Sequence, residues 1–256
     1  MTTMSRALKV PAHYHGPEGT ANGGWVAGTV ASHLPTSATV EVTLRAPVPV
    51  ERVLRVERAP AAGGAWRVLL LDAEPGGDVL AEAREVDERL RPPPFVPAEE
   101  AEEAGRAFPG HGGHPAPGCF VCGDRPPGEG LRVHAGPTGR PGELAALWRV
   151  HPGLAEWSAT LPLSHVWGAL DCPTGWTHLI AGGSALLGRL TARVRRSVLT
   201  GAPYVVVARR EAGAGRVLYA DAAVYEPGGA LVAVSRAAWI EVAPLQAGGR
   251  SQATPR

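Results

Sequence analysis

The sequence predicts an α+β protein of two tandem domains, each a long antiparallel sheet wrapped around one central helix. Three features predict it. Short runs with apolar–polar alternation recur between Gly- and Pro-rich turns, as half-buried strands require. Each half also holds one apolar stretch without that alternation. And the elements come in the same order on both sides of a break rich in Pro, Gly and Glu, Arg91 to Gly118. A chain of 256 residues accommodates two domains of ~125 residues each. The boundaries that follow are 1–92 for the first domain, 93–117 for a linker, 118–245 for the second domain, and 246–256 for a polar tail expected to be disordered.

In the first half, Gly-rich "GTANGG" leads into "WVAGTVASHL", a short apolar helix that stops before Pro35. Four strand candidates follow. "ATVEVTLRAPV" sets Val40, Val42 and Leu44 against polar neighbours, and "VERVLRVERA", "AWRVLLLDAE" and "DVLAEAREVDE" come after turn signals. In the second half, "GLRVHAG" and "ELAALWRVHP" precede an apolar helix over His165–Ala181. Then come "LLGRLTARVRRSV", "PYVVVARREAG", "RVLYADAAVYEPGG" and "ALVAVSRAAWIEV", with "GAG" and "EPGG" as hairpin turns. A helix with a long meander is packed by curling the sheet around it, and two such sheets hide their exposed edges by pairing.

Composition narrows the function. The 25 basic and 24 acidic residues are spread along the chain and leave a net charge of +1. That is no footprint for nucleic acid or an anionic membrane, so the expected ligand is a small molecule. No apolar run approaches the ~20 residues that span a bilayer. The start "MTTMSRALKV" has no apolar core of signal-peptide length, and three cysteines, an odd number, fit a reducing compartment; a cytoplasmic protein is expected.

One residue is out of place in this pattern. In "HVWGALDCPTGW", His165 to Trp176, Asp171 lies among residues that read as core, where an ionised carboxylate costs several kcal/mol unless it is paired or used. Its apolar neighbours are expected to raise its pKa. The bland alternative is an Asp that ends the helix before Pro173. Cys172 is expected to face away from Asp171, as successive helical residues do, and to be a structural thiol.

Three stretches resemble a known family. "NGGWVAG" at Asn22 is similar to the "HGG" turn that opens the central helix of hotdog-fold acyl-CoA thioesterases. "WGALDCPTGW" is similar to that helix further along, where the family keeps an Asp or Glu. "CFVCGDRPPGEGLRV" at Cys119 resembles the opening strand of a hotdog domain in thioesterase-like proteins. The chain as a whole resembles a tandem double hotdog.

In the family the glycine turn precedes the carboxylate by about nine residues. Nine on from Asn22 lies Ala31; nine back from Asp171 lies Pro162. Each half keeps what the other lacks. Since the family's sites lie between two hotdogs, the resemblance implies one complete site from Asn22–Gly24 and Asp171, and one dead site opposite. It implies Asp171 as nucleophile or general base and the amides of Gly23 and Gly24 as oxyanion donors. Thr174 is the hydroxyl one turn after the acid, although a Thr bonding its own helix explains it equally. Asn22 replaces the family's His; it can donate to a carbonyl but cannot take a proton. Trp25 and Trp167 are the expected aromatic substrate contacts. Arg193 and Arg195 of "RVRRS" are candidates for CoA phosphates, against the plainer reading of charges on a solvent face. No cofactor is implied. The partners implied are a CoA-linked acyl thioester and a second copy of the chain, as a homodimer of double hotdogs. The alternative is a non-catalytic hotdog protein that binds acyl thioesters or lipid. The adjacent Asp and His pair of hydratase-type hotdogs is not found.

"HGGHPAPGCFVCG" competes as a metal motif. His111, His114, Cys119 and Cys122 are zinc-compatible types. Four ligands within twelve residues lack the usual gap between ligand pairs, however, and Pro115 and Pro117 stiffen the segment. The Cys pair is therefore read as the start of a strand, and no metal site is expected.

Overall fold

A computed structural model of the chain describes residues 4–61, 65–74, 76–155, 158–180 and 184–242. The first half comprises β1 (Met4–Lys9), α1 (Gly23–Ala31), β2 (Thr39–Leu44), β3 (Val53–Pro60), β4 (Trp66–Asp72) and β5 (Val79–Val86). After α2 (Ala98–Arg106) come β6 (Gly136–Pro137), β7 (Glu143–Arg149), α3 (Leu163–Leu179), β8 (Ala185–Val194), β9 (Pro203–Arg210), β10 (Val217–Tyr225) and β11 (Leu231–Glu241). The eleven strands form a single sheet in the order β1-β3-β4-β5-β2-β8-β11-β10-β9-β7-β6. Outward from the β2–β8 junction the order is β2-β5-β4-β3-β1 on one side and β8-β11-β10-β9-β7 on the other. The two halves are copies of one topology, and they join edge to edge, with Val40 opposite Ala192 and Val42 opposite Leu190. At that junction Glu41 takes two hydrogen bonds from Arg84 and an ion pair from Arg189.

The helices α1 and α3 pack on each other inside the curl, α1 against β2, β4 and β5 and α3 against β7 to β11. Both are apolar nearly all round, as a helix enclosed on all sides must be. Their contact is close because α1 carries glycines there. A Cβ on Gly28 would lie 2.6 Å from Ser164 Cα, and one on Gly24 would lie 2.3 Å from Asp171 Cβ. Pro173 does not end α3. The helix runs six residues further, losing one internal donor but held by burial from Ser164 to His178.

One strand goes unseen in the sequence, and two expectations need correction. The strand β1 pairs with β3, Leu8 opposite Leu54, although "MSRALK" carries too weak an alternation to be read as a strand. The stretch 93–117 is more than a spacer. Its helix α2 buries Ala101 and Ala104 against Ala145, Val205, Val207 and Ala223, covering the outer face of β7, β9 and β10. And "CFVCG" is a turn, with no strand over "GLRVHAG" except Gly136. Leu131 and Val133 donate to the carbonyls of Phe120 and Val121, so this segment pairs with itself instead of extending the sheet. The polar tail 246–256 lies outside the described residues. Among the described residues no helix is long and apolar enough to cross a membrane.

Candidate active site

The site forms where α1 begins against the middle of α3. Asn22 is the N-cap of α1: its Oδ1 accepts from Trp25 N–H at 2.9 Å, and its backbone carbonyl accepts from Val26. The next amide, Gly24 N–H, donates to Asp171 Oδ2 at 2.8 Å. The carboxylate thus sits on the positive end of the opposite half's helix. Gly24 is required, because any side chain would occupy the space of Asp171 and of the Trp167 carbonyl. Among the amides of this first turn, that of Gly23 alone has no partner in the described residues.

Asp171 is only 2% exposed, and its Oδ1 accepts no hydrogen bond from the described residues. Burial pushes its pKa from 3.8 up to about 7. The Gly24 N–H and the Asn22 amide restrain the rise, while negative charge on Cys119 adds to it. A cavity of about 450 Å³ opens beside it, within the size range of small-molecule sites. Its walls include Asn22, Gly23, Leu44, Val48, Asp171, Trp176, Leu187 and Trp239, with Cys119, Cys122, Cys172 and His114 on one side.

Several expected site residues fall elsewhere. Thr174 Oγ1 donates to the backbone carbonyl of Asp171 at 2.6 Å and accepts from Trp239 Nε1 at 2.9 Å, so its hydroxyl is committed to its own helix and to the indole. Trp25 stacks on Tyr14, ring centroids 4.2 Å apart, and Trp167 packs over Gly28; neither lines the cavity. The indoles that do are Trp176 and Trp239, which the sequence does not single out. Arg193 and Arg195 are exposed and away from the cavity, whereas Arg45, half exposed and paired with Glu82, is on its wall. His165 is a core residue against Tyr14 and Phe120, its pKa pushed down to about 4 by burial. Cys172 does not face away from Asp171 as helix periodicity predicts; both line the cavity, because the pocket wraps around that turn of α3. Nothing local in the sequence signals Trp239, which is distant in the chain and reaches the site only through β11.

This architecture is the double hotdog fold: two helices side by side, each in the curl of its own half of one continuous antiparallel sheet. Solved structures share it along nearly their whole length. The TesB protein of Mycobacterium avium subsp. paratuberculosis superposes with a TM-score of 0.62 at 16% identity, over 93% of each chain. The dehydratase domain of PpsC from Mycobacterium tuberculosis, solved with C12:1-CoA, gives 0.58 at 15% identity over 94% of each chain. The 12:0-ACP thioesterase of Umbellularia californica gives 0.51 at 14% identity, again over 94% of each. No protein-family model and no curated protein sequence matches the chain.

Proposed function

We propose that the protein hydrolyses an acyl-CoA thioester at a single site between its two halves. The observation that carries this is the buried carboxylate of Asp171, held 2.8 Å from the Gly24 amide at the start of the opposite helix and facing a largely apolar cavity. A carboxyl group with a pKa near 7 suits a general base at neutral pH. In this reading Asp171 takes a proton from a water whose oxygen attacks the thioester carbonyl. The Gly23 N–H, free and at the positive end of α1, stabilises the tetrahedral oxyanion. The C–S bond then breaks, the thiolate leaves and is protonated, and the acid is released. Gly24 positions the carboxylate and is not available to the oxyanion. Apolar walls at Leu44, Val48, Leu187 and Trp239 suit the acyl chain, and Arg45 suits a phosphate of CoA. Asn22, which cannot exchange a proton, disfavours acid–base chemistry shared between two groups, as a dehydration requires.

The test is hydrolysis of a panel of acyl-CoA thioesters by the wild type and by Asp171→Asn. Turnover by the wild type that falls at least ~100-fold in the variant, with folding retained, supports the reading, that being the usual minimum for an acid–base group. Binding of acyl-CoA without turnover at any chain length refutes hydrolysis in favour of a carrier. A single turnover in ¹⁸O-water tests the route. Label retained in Asp171 would mean an anhydride opened at the Asp171 carbonyl, whereas label in the acid alone is expected for the general base and excludes that opening.

A further inference from the structure

The three cysteines come from two distant parts of the chain, yet the fold brings them to one point. The Sγ atoms of Cys119, Cys122 and Cys172 lie within 4.8 Å of one another, and that of Cys119 is 3.8 Å from that of Cys172. Two thiolates on a tetrahedral zinc, with bonds of ~2.3 Å, stand ~3.8 Å apart. We propose that Cys119, Cys122 and Cys172 bind one thiophilic cation of the zinc class, in a site that ties the 119–123 turn to α3 beside Asp171.

The surroundings are those of sulfur atoms acting as acceptors. Because Asn22 Oδ1 is occupied by Trp25 N–H, its Nδ2 must be the group that faces sulfur, and it lies 3.4 Å from Cys172 Sγ and 3.7 Å from Cys119 Sγ. His114 behaves likewise. Ala116 N–H donates to its Nδ1 at 2.9 Å, which leaves the proton on Nε2, and that atom is 3.2 Å from Cys122 Sγ. Its imidazole therefore supports a thiolate from outside, as hydrogen-bonding partners of metal ligands do. The turn is built for close approach: Gly123 N–H closes it on the Cys119 carbonyl at 2.9 Å, and a Cβ on Gly123 would come within 2.5 Å of that oxygen. Three buried thiol sulfurs, unlike carboxylates, select zinc-class ions over magnesium or calcium. On binding, the thiol protons pass to solvent as the metal–sulfur bonds form.

This set differs from the array visible in the sequence. His111 packs against Phe108 and His134 and stands outside it, and Cys172 replaces it from 50 residues downstream of Cys122. The inference is independent of hydrolysis, since no substrate enters its test.

The full chain, purified reduced and without chelator, is dialysed against zinc and its metal content measured; one equivalent per chain is expected. Stripped protein is then titrated with cobalt(II). A thiolate-to-cobalt charge-transfer band with tetrahedral visible bands, saturating at one equivalent, supports the site. Cys172→Ser is expected to weaken cobalt binding at least ~100-fold and His111→Ala to leave it unchanged, on the measure that even supporting groups are worth ~10–100-fold. Should Cys172→Ser fail to fold, the wild-type cobalt spectrum carries the test alone. No bound metal, a charge-transfer band that needs His111 but not Cys172, or a Cys119–Cys172 disulfide formed in place of metal binding each overturns the proposal.

Discussion

The two halves of this protein share one topology but differ where their helices meet. In the first half the N-cap is Asn22, the following amides belong to two glycines, and the ninth residue after the cap is Ala31. In the second half the N-cap is Pro162, with no capping side chain, and the ninth residue after it is Asp171. Ser164 stands where Gly24 does in the repeat, so the second helix start cannot admit a neighbour as closely. A duplicated scaffold thus needs only one carboxylate and one glycine-lined helix start, provided they belong to opposite halves. The stability cost of a buried acid is then carried once instead of twice.

The largest test of that asymmetry is Ala31→Asp, which places a second acid at the equivalent buried position without a glycine opposite it. A loss of about 3–5 kcal/mol is expected at pH 8, with no added turnover, because a charge without a partner is being buried. Doubled activity at unchanged stability would show the halves to be equivalent.

Next is the acid already present. The pKa of Asp171 is higher folded than unfolded, so the folded state holds its proton more tightly and the group favours folding at low pH. That contribution is complete below about 4 and is lost as the pH rises to about 7, roughly 4 kcal/mol at most on the usual scale. Asp171→Asn, still able to accept from Gly24, is expected to match the wild type at pH 4 and to be more stable at pH 8. Urea unfolding at the two pH values reads this directly. Hydrolysis has the opposite dependence: its rate is expected to climb with pH through a midpoint near 7, as the base ionises.

Gly24→Ala tests the close approach of the helices. Its methyl group would overlap Asp171 and the Trp167 carbonyl, so a loss of about 1–3 kcal/mol is expected, as for an overpacked core, together with loss of hydrolysis. Gly23→Ala meets only side chains, most closely the ends of Leu187 and Leu44 at 3.0 and 3.2 Å, and is expected to be milder. Smallest is Asn22→Ala, which removes a helix cap worth ~1 kcal/mol and is read by thermal melting. If Asn22→Ala proved costlier than Gly24→Ala, the sulfur contacts of Asn22 would outweigh its capping role.

Much of the scaffold was legible because it rests on local periodicity. The alternation at Val40, Val42 and Leu44, the apolar runs at Trp25 and Trp167 and the repeated element order each follow from which face of an element is buried. The Asp171–Gly24 pairing was approachable for another reason: a charge inside a core helix demands a partner, and the repeat says where to look. What escaped were features whose signal is not periodic. In sequence the turn at Cys119–Gly123 resembles a strand, α2 a spacer, and Trp25 and Trp167 the substrate aromatics. Those indoles are apolar and near the key residues in sequence, but they point away from the cavity.

The sequence by itself determined the duplication, the elements with a clear burial period and the one residue that a core cannot hold without compensation, because burial period and charge are properties of each segment taken alone. Only the tertiary structure decided that Gly24 holds the acid while Gly23 keeps a free amide, that Trp176 and Trp239 wall the cavity, and that Cys172 joins Cys119 and Cys122. Those relations depend on distances between segments such as Gly24 and Asp171, 147 residues apart, across a helix contact set by the absence of two side chains.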